Sequence, residues 1–361
     1  MAKKRIGILT SGGDCPGLNA TIRGVAKACF ETMGTDNVQI VGIQNGYYGL
    51  INNIAREMDP SEFSGILTQG GTILGTKRQP FKMISSIGED NIDKVKQMKD
   101  TYKKQKLDCL LTLGGNGTHK TANLLSQEGL NVIGLPKTID NDIYGTDVTF
   151  GFHTAVDIAT DVIDRLHTTA ASHNRVFIVE VMGHKVGWLT LYAGVAGGAD
   201  IILLPEIPYD IDKVVEAIHK RTKDGKGFTI LAVAEGAISK EDAELSKKQY
   251  KAKVASRKYP SVSYEIADQI QEKCGVEVRV AVPGHTQRGG SPCPYDRVLC
   301  TRLGSAAAKA IMDGKFGYMI AMINNKTKCV PLEDVAGKLK TVDPDSQMIQ
   351  EAKRIGISFG D

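Results

Sequence analysis

Two carboxylates, an amide, a hydroxyl and a lysine fall within six residues in Leu135-Pro136-Lys137-Thr138-Ile139-Asp140-Asn141-Asp142. They follow the apolar run 131–135, which reads as a buried strand. In an open α/β sheet, ligands bind beyond the carboxyl ends of the strands, so this is a position suited to chemistry. Asp140 and Asp142 are two residues apart, and in extended chain both side chains would point the same way. One could then take a proton from a hydroxyl while the other handles a metal or holds the first in place. The plainer alternative is an Asx-rich turn whose side chains satisfy backbone groups. Taken alone, these residues do not decide between the two.

Other loops of the same kind give the patch its context. Residues 5–10 read as a short buried strand that runs into Ser11-Gly12-Gly13-Asp14-Cys15-Pro16-Gly17. A helical pattern follows to Met33, with Ile22, Val25, Ala26 and Cys29 on one face. Residues 108–113 repeat the scheme: an apolar strand opens into Gly114-Gly115-Asn116-Gly117-Thr118, and a helix is expected from His119 to Gln127. Strand, glycine loop and helix make a phosphate cradle, because backbone N–H groups and a positive helix end face the anion. Neither loop is a dinucleotide fingerprint or a Walker loop, since no Gly-Lys-Ser/Thr closes it. The Gly75-Thr76-Lys77-Arg78 stretch, just after Gly70-Gly71-Thr72, offers two more cations for a phosphate. Arg279, His285 and Arg288, around the glycine turn 283–290, could hold a phosphate dianion through forked hydrogen bonds. Glu235 stands at the end of the apolar run 228–234, a place suited to a sugar hydroxyl.

A chain of 361 residues exceeds the usual size of a single core, which predicts two domains. Short apolar strands at 39–43, 175–181, 200–204, 228–234, 276–282 and 318–323 alternate with helical patterns. This alternation predicts buried strands in a parallel sheet covered on both faces. Helices are expected at 89–106, with Ile92, Val95, Met98 and Tyr102 inward, and at 154–169 and 187–196. The charged stretch 239–258 reads as a solvated helix or lid. A net charge of +4 suits an anionic substrate, and 6% aromatic residues without basic interleaving give no base-stacking platform for nucleic acid. The seven cysteines are scattered, with no CxxC pair for zinc and no disulfide framework. The start Met-Ala-Lys-Lys-Arg lacks the apolar region of a signal peptide, and no run is long enough to span a bilayer. A cytoplasmic location is expected, with no membrane partner.

Taken in order, these blocks resemble the phosphofructokinase family, kinases that phosphorylate the 1-hydroxyl of fructose 6-phosphate. The segments that carry the resemblance are Thr10-Ser11-Gly12-Gly13-Asp14-Cys15-Pro16-Gly17-Leu18-Asn19-Ala20, Gly114-Gly115-Asn116-Gly117-Thr118, Pro136-Lys137-Thr138-Ile139-Asp140-Asn141-Asp142, Glu180-Val181-Met182-Gly183 and Gly284-His285-Thr286-Gln287-Arg288-Gly289-Gly290-Ser291. The resemblance implies two three-layer α/β/α (Rossmann-like) domains with mostly parallel sheets. Residues 1–151 with 287–337 would take the nucleotide, and 152–286 with 338–361 the sugar phosphate. It implies Asp140 as catalytic base, with Thr138 and Asp142 lining the reacting centre and Gly13 as a backbone donor to the transferred phosphoryl group. Gly13, Arg78, Gly115, Gly117, Thr118 and Lys137 would face ATP. Thr138, Asp140, Arg175, Met182, Gly183, His184, Glu235, Arg279, His285 and Arg288 would face fructose 6-phosphate. Arg175 and Arg279 are expected from a neighbouring subunit, which implies a homodimer or homotetramer with shared active sites. Mg²⁺ is the implied cofactor, with Asn116 at the position of its protein contact.

Donor choice turns on two positions. Family members that use diphosphate resemble one another in carrying aspartate where this chain has Gly117 and lysine at the position of Lys137. A carboxylate there would crowd and repel the α-phosphate of a nucleotide, whereas glycine leaves room, so ATP is the expected donor. Three departures stand beside the match: Asn116 for an acidic metal contact, His184 for an arginine, and Lys27 and His167 for regulatory arginines, with Arg23 retained. The rival readings are a diphosphate-dependent phosphofructokinase, with sedoheptulose 7-phosphate as a further substrate, and a sugar-phosphate-binding paralogue without turnover.

Overall fold

The computed structural model describes residues 3–86 and 93–361. Along the chain the strands are β1 (Lys4–Ser11), β2 (Val38–Ile43), β3 (Ala55–Glu57), β4 (Cys109–Gly114), β5 (Val132–Pro136), β6 (Val176–Val181), β7 (Ile201–Leu203), β8 (Thr229–Ala234), β9 (Val278–Ala281), β10 (Tyr318–Ile323) and β11 (Lys326–Pro331). They form a seven-stranded sheet in the order β11-β10-β5-β4-β1-β2-β3 and a four-stranded sheet in the order β7-β8-β6-β9. The chain divides into two compact units to match: Met1–Thr154 with Arg288–Lys340, and Ala155–Gln287 with Thr341–Asp361. The expected mixed α/β architecture with parallel sheets is what the chain adopts.

In the first unit β10, β5, β4, β1 and β2 run parallel, and short antiparallel strands close both edges. The central strands are buried along almost their whole length, as continuous apolar runs require when helices cover both faces. After β1 the chain crosses through the helix Leu18–Met33 to β2 on one side, and after β4 through Asn116–Gln127 to β5 on the other. The topological switch point therefore lies between β1 and β4, where both glycine loops emerge. Ser11 pairs with Gly114, and Gly114 with Pro136, so three loops leave the sheet side by side. Ile22, Val25, Ala26 and Cys29 are buried on the helix Leu18–Met33, as the periodicity predicts. That helix packs on Pro294–Met312 with Gly24 and Gly304 face to face. A Cβ added at Gly304 would stand 2.7 Å from the Val25 nitrogen.

In the second unit all four strands are parallel. β6 and β8 are fully buried, and β7 is extended by the chain end through the Ile201–Ser358 bridge. β9 departs from expectation. It is an edge strand with only half-buried and exposed residues, because apolar and charged side chains alternate along it. In the first unit the edge strands β3 and β11, antiparallel on β2 and β10, lie outside the predicted strands. The charged stretch 239–258 forms two helices, Lys240–Ala243 and Lys247–Ala255, the second wholly without buried residues. Of the helix expected at 89–106, the described part is Lys94–Lys104, capped by the Asp93 side chain; Ile92 lies outside the described residues. Among the described residues no helix is long and apolar enough to cross a membrane.

Gly304→Ala tests the helix crossing. Alanine gains about 1 kcal/mol of helix propensity, but forcing a methyl into backbone costs about 1–3 kcal/mol. Net destabilisation is expected, read as a lower urea midpoint; a higher midpoint contradicts the close approach.

Candidate active site

The loop after β1 is held from two sides by cations. Lys137 follows β5 and is 3% exposed. Its backbone N–H donates to the Gly114 carbonyl at 3.1 Å and its ammonium to the Gly13 carbonyl. Burial pushes the lysine pKa down, with the Arg288 charge acting the same way and Asp140 and Asp14 opposing. Arg288 lies on the same loop. Its Nη1 donates to the Asp14 carbonyl at 3.3 Å, and a Cβ on Gly13 would meet that nitrogen at 2.5 Å. Position 13 must be glycine for the guanidinium to lie there. Thr76 anchors the neighbouring 70–78 loop by donating to the Gly12 carbonyl at 2.7 Å. Asn19, fully buried, organises the start of that loop: its amide donates to the Gln69 and Gly70 carbonyls and accepts from the Ile73 N–H.

The second glycine loop is shorter than expected. The helix begins at Asn116, not His119, with Gly115 as its N-cap, so Gly117 and Thr118 belong to its first turn. Their N–H groups are among those a helix leaves without internal partners. Space beside Gly117 is open, with nothing within 4 Å of an added Cβ. Beneath the turn His119 is fully buried, and burial with the Lys137 charge pushes its pKa down to about 4. It is therefore neutral at pH 7.

The Asp140–Asp142 segment is not extended strand. Asn141 takes a left-handed conformation at φ 53°, which breaks the alternation from which a shared direction was inferred. The turn is built from its own side chains. The Asp140 N–H donates to Thr138 Oγ1 at 3.1 Å, and Asn141 Oδ1 accepts from the Thr149 N–H at 3.1 Å. Thr149 Oγ1 donates to the Thr138 carbonyl at 2.7 Å. Lys340, which no local pattern marks, donates to Asn141 Oδ1 at 2.9 Å and to the Thr146 and Asp147 carbonyls at 3.0 and 2.9 Å. Burial pushes its ammonium down to about 8 against the pull of Asp147 and Asp142.

In the second unit the predicted residues fall into two groups. At the carboxyl end of β6, Glu235 accepts from the His184 N–H at 2.7 Å and the Gly183 N–H at 3.3 Å. Buried Gln287 accepts from the Met182 N–H at 3.3 Å and donates to the Gly284 carbonyl at 3.0 Å, joining the His285 turn to this group. At the other end, Arg175 and Arg279 both bond Glu277: Arg175 Nε at 2.6 Å, and Arg279 through Nη2. Arg279 is level with Phe177 in the β6–β9 register. Five residues of strand separate Phe177 from Met182, about 17 Å, beyond the reach of an arginine side chain. One chain does not bring Arg175 and Arg279 to Met182 and Glu235.

Three strand-end loops thus leave the sheet at the switch point, with two cations on the glycine turn after β1 and the Asp140–Asp142 turn after β5. The phosphofructokinase family model matches residues 5–311. The chain belongs to the phosphofructokinase family. It is 56% identical to the ATP-dependent 6-phosphofructokinase of Spirochaeta thermophila, over 100% of this chain and 98% of that one. It is 47% identical to the ATP-dependent 6-phosphofructokinase 3 of Bacteroides thetaiotaomicron, over 99% and 100% of the two chains. Phosphofructokinase from Pichia pastoris in the T-state superposes with a TM-score of 0.80 at 32% identity, over 93% of this chain. This chain spans 35% of that longer one. The pyrophosphate-dependent phosphofructokinase of Nitrosospira multiformis shares the fold with a TM-score of 0.81, over 99% and 93% of the two chains, at 20% identity.

The metal that the phosphofructokinase family implies can be tested against the oxygen atoms present. Asn116 Nδ2 donates to the Asp142 carboxylate at 2.7 Å and to its carbonyl at 3.2 Å, which fixes the orientation of the amide. Asn116 Oδ1 is then buried without a hydrogen-bond partner. A hard oxygen beside a carboxylate fits one face of Mg²⁺, which takes its other ligands from phosphates and water. Among the described residues no three His, Cys, Asp or Glu side chains cluster to hold a metal by themselves. Arg78 and Lys77 are exposed, and Lys77 lies over the Tyr48 ring at 3.8 Å.

Gly13→Ala should displace Arg288 without disturbing the fold, since Gly13 has no left-handed φ. A fall in kcat of about 10²-fold with a melting temperature close to wild type is the expected result; unchanged kcat would show that the guanidinium is not needed where it lies.

Proposed function

We propose that this phosphofructokinase transfers the terminal phosphoryl group of ATP to the 1-hydroxyl of fructose 6-phosphate, giving fructose 1,6-bisphosphate in glycolysis. The observation that carries the reading is the convergence of Lys137 and Arg288 on the Gly13 turn, beside the loop that holds Asp140. Phosphoryl transfer needs positioning and charge neutralisation more than covalent chemistry. Asp140 takes the proton of the sugar hydroxyl as the oxygen attacks phosphorus, and Thr138 fixes the turn that carries it. The Gly13 backbone, Lys137 and the N-terminal turn at Asn116 face the charge of the donor phosphates. Mg²⁺, held by Asn116 Oδ1 and Asp142, would neutralise charge on those phosphates. The first unit takes the nucleotide and the second the sugar phosphate.

Open space beside Gly117 favours ATP, because an α-phosphate can approach there without a carboxylate. Lys137 favours the second reading, diphosphate as donor, since the family's diphosphate users resemble this chain at that position. Assays with ATP and with pyrophosphate, each with fructose 6-phosphate and Mg²⁺, separate the two. Activity with ATP is expected, lost by about 10³-fold in Asp140→Asn and depressed selectively in Gly117→Asp. Turnover with pyrophosphate alone would sink the choice of donor.

The sugar's 6-phosphate is gripped by Arg175 and Arg279 of a second copy, because in one chain they lie a strand's length from Met182 and Glu235. Co-expressed Asp140→Ala and Arg279→Gln chains should therefore complement. In a mixed dimer one site carries both defects and the other neither, which gives about a quarter of wild-type activity. If the sites are not shared, the mixture stays as inactive as its parents.

A further inference from the structure

We infer that Lys340 is a positioning residue for the reaction, holding the Asp140-Asn141-Asp142 turn in its working shape from almost two hundred residues away. It lies outside every segment that carries the family resemblance, at the last position of the first unit. Its ammonium gathers three oxygen atoms from one loop: Asn141 Oδ1, the Thr146 carbonyl and the Asp147 carbonyl. Its own N–H donates to the Asp142 carbonyl at 2.9 Å, and the adjoining Leu339 bridges Ile143. The lysine thus holds the segment from both sides, through the backbone after Asp142 and through the side chain between the two aspartates.

The need for such a clamp follows from Asn141. A left-handed residue other than glycine is strained, although asparagine bears it better than most. At 4% exposure its Oδ1 needs donors, and it has the Thr149 N–H and Lys340. Removing the ammonium leaves the oxygen with one firm donor and frees the 146–147 backbone, so the turn can relax toward an unstrained conformation. Asp140 and Asp142 flank Asn141, and any such relaxation re-aims both. Asp142 also accepts from Asn116 Nδ2 and is proposed to share Mg²⁺ with it, so binding of the bare nucleotide, which rests on the Gly13 and Gly115–Thr118 backbone, is the property that should survive the loss of Lys340. A displacement near 1 Å at a reacting group lowers rate by about 10²-fold.

This rests on Asp140 being the catalytic base, and the test keeps the two claims apart. Lys340→Met keeps the aliphatic stem and removes the charge; Lys340→Arg keeps a charged donor of similar reach. The expected result for Lys340→Met is kcat down about 30- to 100-fold, KM for fructose 6-phosphate within threefold, and calorimetric affinity for metal-free ATP near wild type. Lys340→Arg should recover most of the lost kcat. A Lys340→Met enzyme with kcat within threefold of wild type overturns the inference, as does a loss shared by kcat, the KM for fructose 6-phosphate and metal-free ATP affinity that arginine does not reverse. Asp140→Asn assayed alongside reports on the base: if it stays active the base assignment fails, whereas inactive Asp140→Asn with active Lys340→Met removes only the role of Lys340.

Discussion

Burying an ammonium group obliges the chain to put oxygen beside it, and for Lys137 that oxygen is the Gly13 carbonyl. Lys137 follows β5 and Gly13 follows β1, with β4 between them. With its backbone N–H on the Gly114 carbonyl and its ammonium on the Gly13 carbonyl, Lys137 ties together the ends of three adjacent strands. Left unpaired in this environment, the ammonium would cost several kcal/mol or give up its proton. The loop after β1 is thus held by a strong local requirement as well as by glycine geometry. With the Gly13 carbonyl engaged by Lys137 and Arg288 lying against its Cα, the turn is set before any phosphate arrives. Such preorganisation lets fixed dipoles and charges act on a transferring group without reorganisation during the reaction.

The same economy shapes the neighbouring turns. Asn19, Thr76, Thr138 and Thr149 each use a side chain to anchor loop backbone that no strand or helix satisfies. Loops of this length would otherwise expose those groups to water and remain mobile. Small polar residues at strand ends are therefore scaffolding for the charged ones, and a lysine from the end of the unit completes the frame at Asn141.

Much of this was legible because strand, glycine loop and helix leave a strong local signal. The two loops at the switch point, the polar patch after β5 and the buried face of Leu18–Met33 follow from composition and period alone. What the sequence hid is instructive. The two-residue spacing of Asp140 and Asp142 suggested extended chain, yet the residue between them is asparagine, one of the few that accept a left-handed turn. The helix after β4 starts early because Gly115 caps it, and Asn116-Gly117-Thr118 have low helix propensity that the strand-to-helix connection overrides. The valines of 276–282 suggest a buried strand, although Glu277 and Arg279 among them spell a one-sided edge strand. Lys340 carries no local signal at all, since its acceptors Thr146 and Asp147 lie 194 and 193 residues away.

The cations of the two units are held in different ways, and the difference has a physical consequence. Lys137 is buried on the Gly13 carbonyl and Arg288 lies against glycine, so both cations are fixed in place by the fold of the first unit. Arg175 and Arg279 share Glu277 at an exposed sheet edge, with side-chain exposures of 28%, 57% and 43%. Ion pairs so exposed contribute little, about 0–1 kcal/mol, and each guanidinium keeps donors beyond those Glu277 uses. A phosphate dianion can therefore displace or join the carboxylate at small cost, while Glu277 keeps two like charges close in its absence. On the proposed reading, one chain builds the reacting centre and a second lends a grip that is cheap to exchange. Affinity for the sugar phosphate then depends on assembly, whereas the placement of the base and of the donor phosphates depends on the fold of the first unit.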